Sequence, residues 1–407
     1  MGDQTIPADA DASSRAESDS SATLQIAVLS AVAAIGVLST NILLPALPEM
    51  AASLKTSTAE ITSAITVFLA VFATAQLLIG PISDRYGRRL PVLAGFVVFL
   101  AGTIWCGLAN DMPNMLVGRV IQGVGACATS GLTRAIARDL FGGAALARAL
   151  ALIMIAMAAA PGFSPLLGGA LDHYFGWRSE FAFVGLFAAG SAIAYIALLR
   201  ETRRSTPIPL DPRAIARAYL GLMTDRRFVV PVAAVSLVMA GLFAMFASVP
   251  RILIEDMRFT PIDLGLFFAG TVMIVFAAGF LAPGLATRFG LSRSIRAGLV
   301  TAAAGSAAVF AVSIFSTAFL PFLAALCVFL LGMGIVNPLG TAQSLSPFGE
   351  KAGAASALIG FCQTMGMAIG AYLAAIVSRD AMFALGLVQT VTALAAFWLY
   401  TMRVKED

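Results

Sequence analysis

The sequence predicts an all-α integral membrane protein of twelve transmembrane helices, arranged as two six-helix bundles about a central cavity. Three observations carry this. Of the 407 residues, 59% are hydrophobic and only 12% are charged, with a mean hydropathy of +0.90, which leaves too few polar groups to cover a soluble surface. Apolar runs of about 20 residues, the length that crosses a bilayer as a helix, recur twelve times along the chain. With the N-terminus inside, the inner segments hold 20 Lys and Arg and the outer segments 5, with Arg119 left within a span. That asymmetry follows the positive-inside rule and places both termini in the cytoplasm.

Residues 1–22 are rich in Asp, Ser and Ala, lack apolar periodicity and are expected to form a disordered cytoplasmic tail. Arg15 is their one basic residue and the next run is long enough to span, so they do not resemble a secretory signal. Apolar runs follow at about 24–47, 60–80, 90–109, 115–136, 149–170 and 181–199, giving an N-terminal six-helix bundle over 23–200. Residues 201–227 are read as a basic cytoplasmic linker. The stretch 200–227 holds seven arginines and the prolines Pro207, Pro209 and Pro212; a solvated linker accounts for it, and lipid-headgroup contact is the other reading. Further runs at about 228–250, 263–284, 295–315, 318–340, 353–376 and 382–402 give a C-terminal bundle over 228–402, and residues 403–407 form a short cytoplasmic tail. The net charge of +4 follows from loop placement and is no argument for nucleic acid. Cys106, Cys127, Cys327 and Cys362 are scattered singly in apolar runs and read as buried free thiols, with no metal-site spacing.

The turn between the second and third spans, residues 80–89, reads Gly-Pro-Ile-Ser-Asp-Arg-Tyr-Gly-Arg-Arg. Gly80 and Pro81 are expected to stop one helix, Asp84 to offer a carboxylate and Gly87 to bend the chain. Arg85, Arg88 and Arg89 then anchor the next helix on the cytoplasmic side. Arg288-Phe289-Gly290 repeats Arg85-Tyr86-Gly87 at an offset of 203 residues, so the halves read as parallel repeats. Thr287 stands where Asp84 does, leaving the charged turn to the N-terminal half.

Arg119 lies a few residues into the fourth span, where a charge costs at least ~2.5 kcal/mol and demands a partner or a wet cavity. It either snorkels to the outer headgroups, towards Asp111, or serves the cavity. Gly123 and Gly125 after it would let the helix pack closely on a neighbour. In the fifth span, Pro161, Gly162, Pro165, Gly168 and Gly169 crowd into ten residues, which reads as close packing and a kink.

The charged turn resembles the loop signature of the major facilitator superfamily. Arg119, Gln122, Gly123, Gly125 and Ala126 match that superfamily's fourth-helix motif RxxQGxGA, whose arginine is implicated in proton coupling. Pro165, Gly168 and Gly169 are similar to its fifth-helix motif, found mainly in antiporters, with Ser164 standing where the motif has glycine. Residues 40–48 at the end of the first span, Arg138-Asp139-Leu140-Phe141, Gly176-Trp177-Arg178, and Pro347-Phe348 through Gln363 look like the Bcr/CflA group of drug exporters. The resemblance covers about residues 37–363. It implies a bacterial inner-membrane location, a functional monomer and alternating access, in which the halves rock about a midplane site. It also implies that the loop acid latches the halves in the outward-facing state. Asp84 is then expected near the start of the eleventh helix, around Ala352, where the helix dipole favours a carboxylate by about a kilocalorie per mole.

One departure matters. Where that group carries an aspartate in its first-helix segment, this chain has Asn41, an amide with no proton to carry near neutral pH. Glu49, Glu60, Asp139, Asp263 and Glu350 fall near span ends, and His173 is expected outside. A cavity with Arg119 and no central acid should disfavour lipophilic cations and suit a neutral, zwitterionic or anionic substrate. Gln76, Gln122, Asn337 and Gln363 are candidate polar contacts to substrate. Met154, Met157, Phe243 and Phe246 are candidate apolar ones. For all of them ordinary helix packing is the competing reading.

No serine elbow, metal-spaced histidine pair or phosphate-binding glycine loop occurs, so the chain is not read as an enzyme and needs no cofactor. The expected function is secondary active export of small amphipathic compounds or drugs, driven by the proton gradient as an antiporter. The alternative is a facilitator or exchanger for a small anionic metabolite. The expected partners are a small-molecule substrate and the lipid bilayer.

Overall fold

The computed structural model describes residues 8–202, 211–316, 318–377 and 380–403. Among them, twelve helices are long and apolar enough to cross a membrane, and no strand occurs. These are α1 (Ala8–Asn41), α2 (Ser63–Tyr86), α3 (Arg89–Gly107), α4 (Met112–Ser130), α5 (Gly143–Phe175) and α6 (Arg178–Leu198). The second set is α7 (Arg226–Pro250), α8 (Pro261–Phe289), α9 (Leu291–Phe315), α10 (Phe319–Leu345), α11 (Ala352–Ile376) and α12 (Ala381–Arg403). Helices are the expected solution because the bilayer offers no partner to an unpaired backbone group.

The two sets repeat each other. The helix α3 packs on α4 as α9 packs on α10, and α1 lies along α5 as α7 lies along α11. The turns between the second and third helices of each set also match. Gly87 takes φ +85° and Gly290 φ +88°, a backbone open to glycine at no steric cost. The guanidinium of Arg85 lies 5.5 Å from the Tyr86 ring centre, and that of Arg288 lies 5.2 Å from Phe289. The halves meet along two seams, α5 on α8 and α2 on α11, which exchange when the sets are interchanged.

Three expectations are corrected. The upstream segment expected as a disordered tail is helical from Ala8, and the apolar span begins at Ala22; Ala8, Ala10, Ala12 and Ala16 supply strong helix formers. Residues 1–7 and 404–407 lie outside the described residues. Gly80 and Pro81 do not end the second span, because α2 runs through both to Tyr86. The carbonyl that Pro81 leaves without its amide partner, that of Leu77, accepts from the Tyr219 hydroxyl at 2.9 Å, and a membrane helix tolerates proline where a side chain repairs the backbone in this way.

The connection read as a solvated basic linker holds a helix, Pro212–Thr224, started by Asp211, whose carboxylate accepts from the Arg213 amide at 2.9 Å. Ile215, Tyr219 and Leu222 recur at helical spacing. Leu222 is buried against Phe228 and Leu358, and the Tyr219 hydroxyl donates to the Leu77 carbonyl at 2.9 Å. Residues 203–210, with Pro207 and Pro209, lie outside the described residues.

Candidate functional site

Arg119 is fully buried, at 0% exposure. Glycine brings α3 and α4 close enough to hold it: a Cβ at Gly102 would stand 2.4 Å from the Gln122 amide nitrogen, and one at Gly125 would stand 2.3 Å from that of Phe99. Arg119 Nε donates to the Ala64 carbonyl at 3.1 Å, and Nη1 to the Ser39 carbonyl at 3.2 Å and to Gln122 Oε1. Gln122 Nε2 donates onward to Thr103 Oγ1 at 2.9 Å. The guanidinium carbon sits 4.3 Å from the centre of the Phe68 ring, a cation–π contact strengthened by desolvation. Arg119 and Gln122 together thus tie α1, α2, α3 and α4 to one another. The snorkelling alternative falls, since Arg119 turns inward and Asp111 instead caps α4 by accepting from the Asn114 amide at 2.8 Å. Arg119 Nη2 has no partner.

Asn41 ends α1, 1% exposed; its Nδ2 donates to the Val37 carbonyl at 2.8 Å and its Oδ1 has no partner. It therefore closes its own helix rather than joining Arg119.

The charged turn forms a second cluster. Arg88 Nη1 donates to Asp84 Oδ1 at 2.7 Å and to Ser83 Oγ at 2.5 Å, and Arg88 Nε donates to Asp139 Oδ2 at 3.0 Å. Thr202 Oγ1 donates to the same Asp139 oxygen at 3.4 Å. Glu201 accepts from the Arg88 and Arg89 amides at 2.9 and 3.0 Å, satisfying the open start of α3. The Arg89 side chain reaches the Ile196 carbonyl at 3.3 Å. Asp84 is thus engaged within its own half, whereas its expected place was the start of α11. The side chains of residues 349–352 there lie outside the described residues.

The α5 glycines face three different neighbours. A Cβ at Gly162 would lie 2.6 Å from Val272 Cγ1, one at Gly168 2.0 Å from the Ile42 carbonyl oxygen, and one at Gly169 2.4 Å from the Pro261 carbonyl oxygen. Two of the three contacts cross to α8. Pro161 and Pro165 sit inside the continuous helix, and the Ser164 hydroxyl donates to the Ala160 carbonyl.

The remaining candidates are not brought together. Gln76 meets Gly360 across the α2–α11 seam, and its Oε1 is buried without a partner. Gln363 Nε2 donates to Thr341 Oγ1 at 3.0 Å. Asn337 and Met157 are half-buried, and Met154 is exposed. Phe243 and Phe246 pack edge to face at 5.1 Å, and Phe246 lies 5.3 Å from Phe268, which makes them part of an aromatic core. A cavity of about 200 Å³ between α2 and α11 is lined by Glu60, Ser63, Thr66, Tyr372, Ala375 and Ile376, none of them an expected contact. Hydrogen bonds from the Thr56 hydroxyl and the Ser57 amide hold the Glu60 carboxyl below its ordinary range.

The sequence reading passes over two acids, Asp172 at the end of α5 and Glu180 in the first turn of α6. Glu180 is 0% exposed and neither of its carboxylate oxygens has a partner; Asp172 is 7% exposed with Oδ1 unpartnered. An acid in a helix's first turn reads as a dipole partner facing water. The available signal was the large apolar Trp177 just ahead of it, itself 2% exposed. Among the described residues no cluster of His, Cys, Asp and Glu could hold a metal ion.

A family model described as Major Facilitator Superfamily matches residues 29–371. Multidrug resistance protein MdtL of Salmonella paratyphi A is 30% identical over 361 residues, spanning 83% of this chain and 84% of its own. MdtL of Escherichia coli O139:H28 is 28% identical over 359 residues, spanning 82% and 84%. Among solved structures, a bacterial homolog of the human lysosomal transporter Spinster, inward-facing and unoccupied, superposes with a TM-score of 0.70 at 15% identity, covering 94% of this chain and 95% of that one. The same homolog inward-facing and occupied gives 0.72 at 14%, covering 93% and 96%. At such identities the likeness is one of fold.

Proposed function

The chain belongs to the major facilitator superfamily, and on that premise we propose that it exports small amphipathic compounds from the cytoplasm by alternating access, as a proton-linked antiporter with both termini cytoplasmic. It is a multi-pass inner-membrane secondary transporter of the multidrug-resistance type, and not an enzyme.

The observation that carries the proposal is the α5–α8 seam. Gly162 and Gly169 press directly on Val272 and Pro261 of the other half, so the helix that resembles the antiporter motif is also the surface on which the halves would rock. The MdtL relatives are multidrug resistance proteins by name, which supports drug-like substrates. In this reading Asp84, Arg85, Arg88 and Arg89 with Gly80 and Gly87 form the switch at the inner end, and Arg119 with Gln122 braces the N-terminal half as it moves.

A second reading, a facilitator or exchanger for a small anionic metabolite, draws on the amide at Asn41 and the unpartnered Nη2 of Arg119. It is the weaker, because the protein itself already engages the other nitrogens of that guanidinium. Transport in proteoliposomes under an imposed pH gradient separates the two, with a neutral drug, a lipophilic cation and an organic anion tested side by side. The proposal expects gradient-driven movement of the neutral or cationic compound, abolished by Arg119→Ala. Movement of the anion alone, indifferent to the gradient, would replace it with the second reading.

A further inference from the structure

We propose that Glu180 is a proton-binding site, loaded from the outer surface through Glu49 and Asp172, and that its protonation is what lets the outer end of the N-terminal half close. The inference rests on the proton-linked reading above, and makes this carboxyl a proton-sensitive gate at the outer end rather than the group that carries protons across.

Three carboxyl groups run from the surface inwards. Glu49, in the short helix Leu47–Ser53, is exposed, and its Oε1 lies 3.4 Å from where a Cβ at Gly176 would stand. Asp172 is within hydrogen-bonding reach of Glu49 and is almost buried. Glu180, the innermost, feels the charges of both. Asp172 lies one helical turn after Gly168, on the same face of α5. A Cβ at Gly168 would stand 3.1 Å from Glu180 Oε1 and 2.0 Å from the Ile42 carbonyl oxygen, so the buried carboxyl sits beside the end of α1, next to Asn41.

The helices packed on α6 are α1, α3 and α5. The outer end of α1 brings the amide of Asn41 and no charge. The outer end of α3 brings the Cys106 thiol, and α5 brings Asp172 and, one residue on, His173, whose ring meets that of Tyr174 edge to face. The cation on α6 itself, Arg178, turns away to the Ala109 carbonyl at 2.9 Å, Asn110 Oδ1 at 3.1 Å and the Trp177 ring at 4.2 Å.

An ionised carboxylate buried without a donor is strongly unfavourable, and two neighbouring acids add repulsion. The packing around Glu180 therefore suits a neutral carboxyl, whereas its anion needs water, which enters only if α1, α5 and α6 part. Gly169, adjacent to Gly168, is the residue pressed on Pro261 of the other half. Separation of the halves at that point would loosen the enclosure of Glu180. By linkage, outer opening releases the proton to the outer water and proton uptake favours closure.

Trp177 provides the readout, being 2% exposed and three residues before Glu180. In full-length protein in nanodiscs with Trp105→Phe and Trp398→Phe, acrylamide quenching of Trp177 is expected to rise as pH is raised. In Glu180→Gln, which keeps the shape without the charge, it should stay low throughout. Infrared spectra of the otherwise unmodified protein should show a protonated-carboxyl band at neutral pH that Glu180→Gln removes. A pH-dependent quenching in Glu180→Gln equal to that of the parent overturns the proposal, as does a parent with no pH dependence or no such band. Quenching that follows sodium concentration at fixed pH would also overturn it, making the cluster a metal-cation site. None of these readouts uses transport, so failure here and failure of gradient-driven export are seen separately.

Discussion

Glu201 and Arg88, 113 residues apart in sequence, are joined by a 2.9 Å hydrogen bond from the Arg88 amide to the Glu201 carboxylate. The same carboxylate accepts from the Arg89 amide at 3.0 Å, so a residue three positions past the end of α6 closes the start of α3. That end of the N-terminal half is stitched together by a cap that no local sequence pattern provides.

Removing that cap should cost what a helix cap is ordinarily worth. Glu201→Ala is expected to lower stability by about 1 kcal/mol, read as a fall in Tm of purified protein in detergent. Gly87→Ala should cost more, because its Cβ would stand 2.5 Å from Glu201 Oε2, and a backbone at φ +85° and ψ 174°, a region adopted essentially by glycine alone, adds about 1–3 kcal/mol for a residue with a Cβ. A Glu201→Ala protein as stable as the parent would show that the bond is idle.

Arg119→Lys keeps the charge and loses the fork that reaches Ser39, Ala64 and Gln122 together. An ammonium is a point donor and does not replace a planar guanidinium. Each acceptor left unpaired in the core is expected to cost about 1–3 kcal/mol. Tm should fall and transport should be lost; parent-like transport by Arg119→Lys would mean that charge alone is what matters there.

Two glycine-to-alanine changes should go in opposite directions. Gly168→Ala drives a methyl against the Ile42 carbonyl and is expected to destabilise by about 1–3 kcal/mol through overpacking. Gly221→Ala, in the Pro212–Thr224 helix with nothing within 4 Å, should stabilise by about 0.5–1 kcal/mol. Thermal unfolding of the two variants beside the parent tests both signs.

The Asp225 carboxyl is held below its ordinary range by its hydrogen bond from the Arg227 side chain, then by the Arg227 amide. A group whose folded value is depressed adds stability above its unfolded value and loses it as pH falls through the folded one. Acidification into and below the carboxylate range should therefore weaken the start of α7 in the parent. Asp225→Asn, still a good cap, should lack that component, measured as the difference between the two Tm profiles against pH.

The reach of the sequence differs from residue to residue. Gly87 was legible as a bend because few other residues adopt that backbone, and Arg119 stood out because a charge inside an apolar run is expensive wherever it falls. The partners of Arg119 were not legible, since they are backbone carbonyls at Ser39 and Ala64, and every residue carries a carbonyl. The helix Pro212–Thr224 was legible in principle, in the spacing of Ile215, Tyr219 and Leu222, but its arginines and flanking prolines masked the pattern.

By itself the sequence determined the number of spans and the family, because the bilayer imposes length and apolarity on each segment separately. Only the tertiary structure decided where the acids near helix ends lie. Asp263 and Asp111 cap their own helices while exposed, whereas Glu180, in the first turn of α6 as Asp263 is in that of α8, is fully buried beside Gly168 and the Ile42 carbonyl. A residue at a helix end is wet or dry according to what its neighbours place above it, and those neighbours come from distant parts of the chain.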